Sequence, residues 1–202
     1  MSLPEMKIYY DFEFKEYKGN LDVISGGFVR EDGKHLYFVL DDFDTDAVLG
    51  DWWLMKNVMC SIEHKVEVSH LSHNNEEVRE LVITDPAKMS RGQARQALLD
   101  FTEDIRPEWW AWYGAYDHVS LCSIMGRMID LPQNWPMYTC DLKQLHRQKG
   151  YCDITIKQQN GKHNALDDAW FNLDRYEFLM EQPDDPKYNT KNAKPVGIHP
   201  IE

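Results

Sequence analysis

Two acidic side chains with the spacing of a metal site lie near the N-terminus, in the apolar and aromatic stretch of residues 6–14. They are Asp11 and Glu13, and because side chains alternate along a strand, both would lie on one face while Phe12 points to the other. Two carboxylates about 6–7 Å apart can hold a hard divalent cation between them. Asp-x-Glu pairs also occur by chance on the solvated faces of acidic chains, so this interpretation needs further ligands elsewhere.

Further acids occur at two later points where a helix is predicted to begin. Asp117 follows the Trp-rich segment 109–114, which is typical of a buried strand, and it is either a site carboxylate or an ordinary helix N-cap. Asp168 lies in the first turn of a helix predicted to run through Met180. Its neighbour Asp167 is a rival ligand, but helical geometry turns it about 100° away.

These acids predict a two-metal phosphodiester hydrolase if they meet near one end of the central strands. Packed carboxylates repel one another, so they stay ionised only around cations. Two Mg²⁺ or Mn²⁺ ions about 3.5–4 Å apart would clamp a phosphodiester and stabilise both the attacking and the leaving oxygen. His163 stands at the entrance of the last helix, where an imidazole with a pKa near neutrality suits the general base for the attacking water. The predicted metal ligands are Asp11, Glu13, Asp117 and Asp168.

The elements that must position these residues alternate between strand and helix periodicity. Strands are predicted at residues 6–14, 21–29, 35–40, 80–84, 109–114 and 137–140, and helices at residues 44–59, 90–105, 117–128, 141–149 and 163–180. The first three strands should form an antiparallel meander, with the Asp32-Gly33 turn before the third. This order predicts an α/β fold in which a mixed central β-sheet is flanked by α-helices on both faces.

Length, charge and cysteine usage narrow the class of protein. The 202 residues fit one domain, predicted at residues 1–181, followed by a tail at residues 182–202 that is rich in Pro, Asp, Lys and Asn. The net charge of −12 argues against a protein that coats nucleic acid through its overall charge. It leaves room for an enzyme that grips nucleic acid through metals and the basic residues within 143–162. Four widely spaced cysteines, no signal peptide and no long apolar run predict a cytoplasmic protein without a membrane segment.

Three motifs carry a resemblance to a known family, namely Asp11-x-Glu13, Tyr116-Asp117 and His163-x-Ala165-x-x-Asp168-Ala169. They resemble the exonuclease motifs of the DEDDh superfamily of 3′–5′ exonucleases, and longer matches are similar to RNase AS, the polyadenylate-specific 3′-exoribonucleases. The resemblance implies an RNase H-like fold, two Mg²⁺ ions for which Mn²⁺ can substitute, the four acids as metal ligands, and His163 as general base. It also implies a homodimer that shortens single-stranded RNA from a free 3′-OH to nucleoside 5′-monophosphates and prefers adenylate.

Aromatic residues near the acids are candidates for substrate binding and for self-association. Phe12, Phe14 and Tyr116 could stack on terminal bases, although aromatic residues more commonly pack in a core. Trp52 and Trp53, on the apolar face of the first predicted helix, are expected either in the core or in a dimer contact, and a base-stacking platform is the weaker alternative.

Three alternative functions stay open at this point. The first two are an exonuclease of single-stranded DNA and an exonuclease of very short oligoribonucleotides. Tyr113 stands where proofreading DNA exonucleases usually have Asn, which disfavours a proofreading role. The third alternative is a non-catalytic relative that keeps the fold as a nucleic-acid-binding module. Such relatives typically lose an acid or the histidine, whereas this chain has all five residues.

Overall fold

The computed structural model describes residues 3–17, 19–70, 77–149, 158 and 161–181. The eight strands within these ranges are β1 Glu5–Tyr17, β2 Asn20–Arg30, β3 His35–Leu40, β4 His64–His70, β5 Glu77–Ile83, β6 Lys88–Met89, β7 Arg106–Ala111 and β8 Cys140–Asp141. The six α-helices are α1 Thr45–Leu49, α2 Trp52–Asn57, α3 Arg91–Phe101, α4 Ala115–Met125, α5 Leu142–Gln148 and α6 Ala165–Glu181. The predicted tail, residues 182–202, lies outside the described residues.

Six strands form one mixed sheet in the order β6-β3-β2-β1-β7-β8. The pairs β1–β2 and β2–β3 are antiparallel, which confirms the predicted meander. The pairs β1–β7, β7–β8 and β3–β6 are parallel. Helices flank this sheet, so the predicted α/β fold with a mixed central sheet is confirmed, and the arrangement is that of RNase H-like proteins.

The two faces of β1 contact different parts of the molecule. Ile8, Tyr10 and Phe12 point into the main hydrophobic core, to which α3 and α4 also contribute buried side chains. Tyr9 points to the other face, where its ring centroid lies 5.4 Å from that of Tyr176 on α6. Because alternate residues share a face, β1 is organised around a core side and an α6 side, and Asp11 falls on the α6 side.

Helix α6 lies unusually close to β2 at its N-terminal end. A Cβ atom added to Gly27 would lie 2.3 Å from the backbone of Ala165, so only glycine permits this approach. Further along the helix, the Asn172 side chain donates a buried hydrogen bond of 3.0 Å from Nδ2 to the carbonyl oxygen of Tyr10. These two contacts fix the position of α6 along the central strands, next to Asp11.

The single helix predicted at residues 44–59 is wrong, because the structure has two short helices there. Asp44 caps α1 by accepting a hydrogen bond from the Ala47 amide, as expected for this residue. The sequence then breaks at Gly50, and Asp51 caps α2 by accepting from two backbone amides. Since a second cap residue occurs within the apolar stripe, the chain starts a new helix instead of continuing the first.

Two smaller differences concern the region after α2. The predicted short strand near residues 80–84 is part of a longer antiparallel hairpin in which β4 pairs with β5. The first strand of that hairpin was not predicted, because only two apolar residues, Val66 and Val68, alternate with polar residues there, and both are exposed. Within the described residues, no helix is long and apolar enough to cross a lipid bilayer.

Candidate active site

A cavity of about 460 Å³ opens beside the middle of β1 and is flanked by α4 and α6. All four acids predicted as metal ligands line this cavity, and so does His163. The full lining consists of Asp11, Phe12, Glu13, Phe14, Trp112, Tyr113, Tyr116, Asp117, Gln158, Lys162, His163, Asp168 and Arg175. Residues that are far apart in the sequence therefore meet at one place, as the motif spacing predicts.

Asp117 reaches the cavity from the first turn of α4. The helix begins at Ala115 with Gly114 as its N-cap, so the alternative interpretation of Asp117 as an ordinary cap is wrong. The side chain is buried, and its Oδ1 accepts a hydrogen bond of 2.9 Å from the backbone amide of Phe12. This bond joins α4 to β1 between the two acids of the strand and fixes the Asp117 carboxylate there.

Asp168 reaches the cavity from the first turn of α6, while Asp167 does not. The Oδ2 atom of Asp168 accepts a hydrogen bond of 2.8 Å from the backbone amide of His163. Asp167 is exposed, and its backbone amide is bound by the Oδ1 atom of Asn164, which caps the helix. The geometry thus favours Asp168 over its rival.

His163 lies on a turn before α6 and has a φ angle of 63°. Its carbonyl oxygen accepts a hydrogen bond of 3.1 Å from Ser61 Oγ, and its ring meets the ring of Trp53 edge-on with centroids 4.9 Å apart. Its Nδ1 atom lies 3.9 Å from Oε1 of Glu13. Neither Ser61 nor Trp53 was predicted to touch this histidine, and only tertiary structure brings them to it.

Three side chains of the cavity are close enough to share one cation. Glu13, His163 and Asp168 each offer one ligand atom, and these atoms lie within 4.8 Å of one another. Carboxylate oxygens are the ligands that Mg²⁺ prefers, and imidazole nitrogen is acceptable to Mn²⁺. The donor set therefore fits a divalent cation, and the carboxylates of Asp11 and Asp117 line the same cavity.

The acids of the cavity have raised pKa values because they are buried close to one another. Burial, with the charges of Asp168 and Asp117, raises the pKa of the Glu13 carboxyl to about 8. Burial likewise raises the pKa of Asp117 to about 8, although the hydrogen bond from the Phe12 amide opposes this change. Burial and the neighbouring acids raise the pKa of Asp11 well above its usual range. A bound cation would favour the ionised form of each of these groups.

The aromatic candidates for substrate binding divide into two groups. The Phe12 ring is only 4% exposed and packs edge-on against Phe28 in the core. Phe14 and Tyr116 line the cavity, and their rings are stacked with centroids 5.8 Å apart and an interplanar angle of 10°. A flat aromatic pair at the rim of the cavity is the arrangement on which a nucleobase can stack.

Among the described cations of the predicted basic segment, one lines the cavity. Lys162 lines it, whereas the Lys143 ammonium lies over the Trp112 ring, 5.1 Å from the ring centroid. Lys157 lies outside the described residues. One further cation in the cavity, Arg175, was not predicted; burial lowers the pKa of its guanidinium to about 10. The sequence signal that could have found Arg175 is its spacing of seven residues from Asp168, which places both on one face of α6.

An RNase H-like sheet with an acidic cavity beside its first strand defines a class of nucleic-acid enzymes, and comparison with known proteins agrees. The chain belongs to the family described as "3′-5′ exoribonuclease Rv2179c-like domain", whose model matches residues 6–180. Two curated relatives from Mycobacterium tuberculosis are 3′-5′ exoribonuclease Rv2179c of strain H37Rv and 3′-5′ exoribonuclease MT2234.1 of strain CDC 1551. Each is 32% identical to this chain over 179 residues, which cover 89% of this chain and 96% of the relative.

Proposed function

We propose that this protein is a divalent-metal-dependent 3′–5′ exoribonuclease that shortens single-stranded RNA from a free 3′-OH. The observation that carries the proposal is the convergence of four acids and His163 in one cavity of the central sheet. Membership in an exoribonuclease family supports the reaction class, and the intact set of five residues speaks against a non-catalytic relative. The family match over residues 6–180 also supports a single catalytic domain at residues 1–181 followed by a tail.

In this proposal the four carboxylates hold the metal. Glu13 and Asp168 offer ligand atoms within 4.8 Å of each other, and Asp11 and Asp117, which line the same cavity, would complete a site for two Mg²⁺ ions or for Mn²⁺ in their place. Bound divalent ions supply Lewis-acid stabilisation of the phosphoryl oxygens and lower the pKa of a bound water. The hydrogen bonds from the Phe12 and His163 amides orient the carboxylates of Asp117 and Asp168 before any ligand arrives.

His163 is the proposed general base. Its imidazole accepts a proton from the attacking water while the oxygen of that water forms a new bond to phosphorus. The bond from phosphorus to the 3′-oxygen of the preceding nucleotide breaks, and this oxygen takes a proton from solvent. The products are a nucleoside 5′-monophosphate and an RNA that is one nucleotide shorter with a new 3′-OH. The neighbouring Glu13 carboxylate, 3.9 Å from Nδ1, is placed to stabilise the imidazolium that results.

The stacked rings of Phe14 and Tyr116 are the proposed contact for the terminal bases. Stacking of this kind contributes about 1–3 kcal/mol for each base and tolerates all four bases. The preference for RNA and for adenylate rests on the similarity to RNase AS, because stacking alone selects neither. We propose this preference together with the reaction.

The experiment that tests the reaction is digestion of end-labelled homopolymers in Mg²⁺, with products resolved by length. We expect a ladder of products shortened from the 3′ end, faster degradation of oligo(A) than of oligo(U) or oligo(C), and no reaction in excess EDTA. Faster degradation of oligo(dA) than of oligo(A) would instead assign the chain to single-stranded DNA. Activity confined to the shortest oligomers would indicate an oligoribonuclease. Full activity in EDTA would refute metal dependence.

We further propose that the protein is a homodimer, with α2 as part of the contact. Trp52 is 70% exposed and Trp53 47% exposed, so the first of the two expected environments, the core, does not hold for these side chains. Exposed Trp is typical of interfaces. Light scattering at micromolar concentration should give twice the mass of the chain, and a monomer would refute the proposal.

The three described cysteines are free thiols, which supports the proposed cytoplasmic location.

A further inference from the structure

Arg175 lies in the catalytic cavity although no motif draws attention to it. It follows Asp168 by seven residues on α6, which is about two helical turns, so both side chains leave the same face of the helix. Among the described residues, Arg175 and Lys162 are the two permanent cations that line this cavity. An arginine in the middle of four acids requires an explanation, because the expected outcome is an ion pair with one of them.

The guanidinium group of Arg175 is held rigidly by its neighbours. Its central carbon lies 4.1 Å from the ring centroid of Phe171 and 4.3 Å from that of Trp112. Its Nη1 atom donates a hydrogen bond of 2.9 Å to Oδ1 of Asn172, whose Nδ2 in turn donates to the carbonyl oxygen of Tyr10. The planar group is therefore fixed in orientation relative to β1 and not free to sample solvent.

Rigid positioning leaves part of the guanidinium without a partner. The Nε atom of Arg175 is buried and has no hydrogen-bond partner, and within the described ranges no carboxylate forms an ion pair with this residue. Arg30, the other deeply placed arginine, shows the opposite pattern. It forms ion pairs with Asp32 and Asp104 and also donates to the carbonyl oxygen of Phe101. Arg30 is thus a satisfied structural residue, whereas the Nε donor of Arg175 is unpaired.

We infer that Arg175 binds the phosphate of the 3′-terminal nucleotide, the group that becomes the 5′-phosphate of the released mononucleotide. This inference rests on the proposed function and deepens it. The planar fork of a guanidinium matches two phosphate oxygens, and a fixed fork loses little freedom when it binds them. A cation that lines the cavity also reduces the repulsion between the acids and an anionic substrate. Arg175 is thereby a specificity-determining residue for phosphorylated ligands.

The test measures how much the phosphate adds to ligand binding. Adenosine 5′-monophosphate and adenosine are titrated by calorimetry, in Mg²⁺, into the wild type, Arg175→Met, Arg175→Lys and the control Arg127→Met. Arg127 is exposed and pairs with Asp130 outside the cavity. We expect the wild type to bind the monophosphate more tightly than the nucleoside, and Arg175→Met to lose roughly tenfold to a hundredfold of that preference. Adenosine binding and the control should not change.

Arg175→Lys distinguishes a contact that depends on the planar shape of the guanidinium from one that depends only on its charge. It keeps the positive charge but lacks the fork, so we expect a loss intermediate between the wild type and Arg175→Met. If Arg175→Met does not fold by circular dichroism, the lysine variant alone decides the matter. An unchanged preference for the monophosphate in the folded variants would overturn the inference, and so would a wild type that binds the monophosphate no better than the nucleoside.

A second readout keeps this inference distinct from the proposed reaction. If the wild type shortens RNA and Arg175→Met does so with unchanged kcat/KM, the reaction stands and the role of Arg175 falls. If the wild type does not shorten RNA but shows a phosphate preference that depends on Arg175, the reaction falls and the phosphate site stands. A loss that appears in both binding and kcat/KM supports both together.

Discussion

The acids of the cavity and its histidine are positioned in different ways. The acids stand on β1, α4 and α6, and these elements are joined by the hydrogen bond from the Phe12 amide to Asp117 and by the hydrogen bond from Asn172 to the carbonyl oxygen of Tyr10. His163 stands on a turn between elements, and the contacts at its carbonyl and ring come from Ser61 and Trp53, about a hundred residues earlier in the chain. The proposed metal ligands are therefore part of the core scaffold, while the proposed base is held partly by residues that are distant in the sequence.

We therefore expect substitutions of the acids and substitutions around His163 to have different effects on stability and on cleavage. Removing an acid should stop the reaction with little effect on the fold, because the burial of unneutralised carboxylates is itself unfavourable. Disturbing the packing under the acids should affect fold and reaction together. Disturbing the contacts around His163 should slow the reaction and leave the metal site and the core intact.

The largest effect is expected from Asp168→Asn. The amide keeps the size of the side chain but removes the charge that binds the cation, so cleavage of oligo(A) should fall by about 10³-fold or more while the melting temperature of the metal-free protein stays level or rises. Asp11→Asn should behave alike. The matched control is Asp167→Asn, which alters the neighbouring exposed carboxylate and should retain activity. The opposite ranking of the two neighbours would reassign the ligand.

The next largest effect is expected from His163→Ala. Removing the general base should lower kcat by about 10²–10⁴-fold, the usual scale for this kind of catalysis, while RNA binding changes little. Stopped assays on oligo(A) and fluorescence anisotropy of labelled RNA measure the two quantities. His35→Ala, a histidine that contacts Trp170 outside the cavity, is the control. A His163→Ala enzyme within about threefold of the wild type would mean that another group accepts the proton.

Gly27→Ala should affect the positions of both Asp168 and His163 and so lower both stability and cleavage. The added Cβ would lie 2.3 Å from the Ala165 backbone, so α6 must move away from β2 and carry Asp168 and His163 with it. We expect a loss of about 1–3 kcal/mol in the free energy of unfolding, measured by urea titration, together with a fall in cleavage. Gly92→Ala is the control, because its nearest contact is Ser90 Oγ at 4.0 Å. Unchanged stability and activity would show that β2 does not position α6.

Trp53→Ala should slow cleavage by about tenfold. Without the Trp53 ring, the His163 imidazole is less restricted and spends part of the time in other orientations. The effect should vanish when His163 is already Ala, which a double-mutant cycle measures. Trp52→Ala is the matched control, because Trp52 packs with Lys56 instead of the histidine. If Trp53→Ala slows the His163→Ala enzyme equally, then Trp53 acts on substrate and not through the base.

The smallest expected effect concerns pH and the metal-free protein. The folded state raises the pKa values of Glu13 and Asp117 to about 8, above the values near 4 that unfolded carboxyls have. The folded state thus binds more protons than the unfolded state between these limits, and stability should fall as pH rises from about 5 to 8. Thermal melts in EDTA should show a decline of a few degrees. Added Mg²⁺ should raise the melting temperature more at pH 8 than at pH 6, and a flat or rising EDTA profile would contradict this.

The sequence predicts the scaffold of the acids well because each part leaves a local signal. The apolar and aromatic stretch at residues 6–14 predicts a strand, and Ser90 with Gln93 three residues later predicts a helix that begins with a capping box; the structure confirms both elements. The strand after the helix break and the contacts of Ser61 and Trp53 were not predictable in the same way. They depend on pairing and packing between distant residues, for which a single chain carries no periodic pattern.

Arg175 is a second example of a feature that the sequence alone does not reveal. Its spacing from Asp168 is visible in the sequence, but an arginine on a helix is usually a solvated side chain, and nothing local distinguishes this one. What sets it apart is the pair of aromatic faces that enclose it, and Trp112 comes from a different part of the chain. Helical periodicity also predicts that the inward stripe of α6 consists of Ala165, Ala169, Leu173, Tyr176 and Met180. This prediction is partly wrong, since Met180 is exposed while Asn172 is buried.

The left-handed backbone of His163 has a consequence for the engineering of this protein. A residue with a Cβ atom at a φ of 63° costs about 1 kcal/mol relative to glycine. Glycine would therefore stabilise this turn, although it lacks the imidazole that is the proposed proton acceptor. Selection for thermal tolerance alone, with no demand for RNA cleavage, should therefore favour His163→Gly. A stabilised, catalytically dead scaffold of this kind would still hold RNA and metal, and could serve as a trap for the substrate complex.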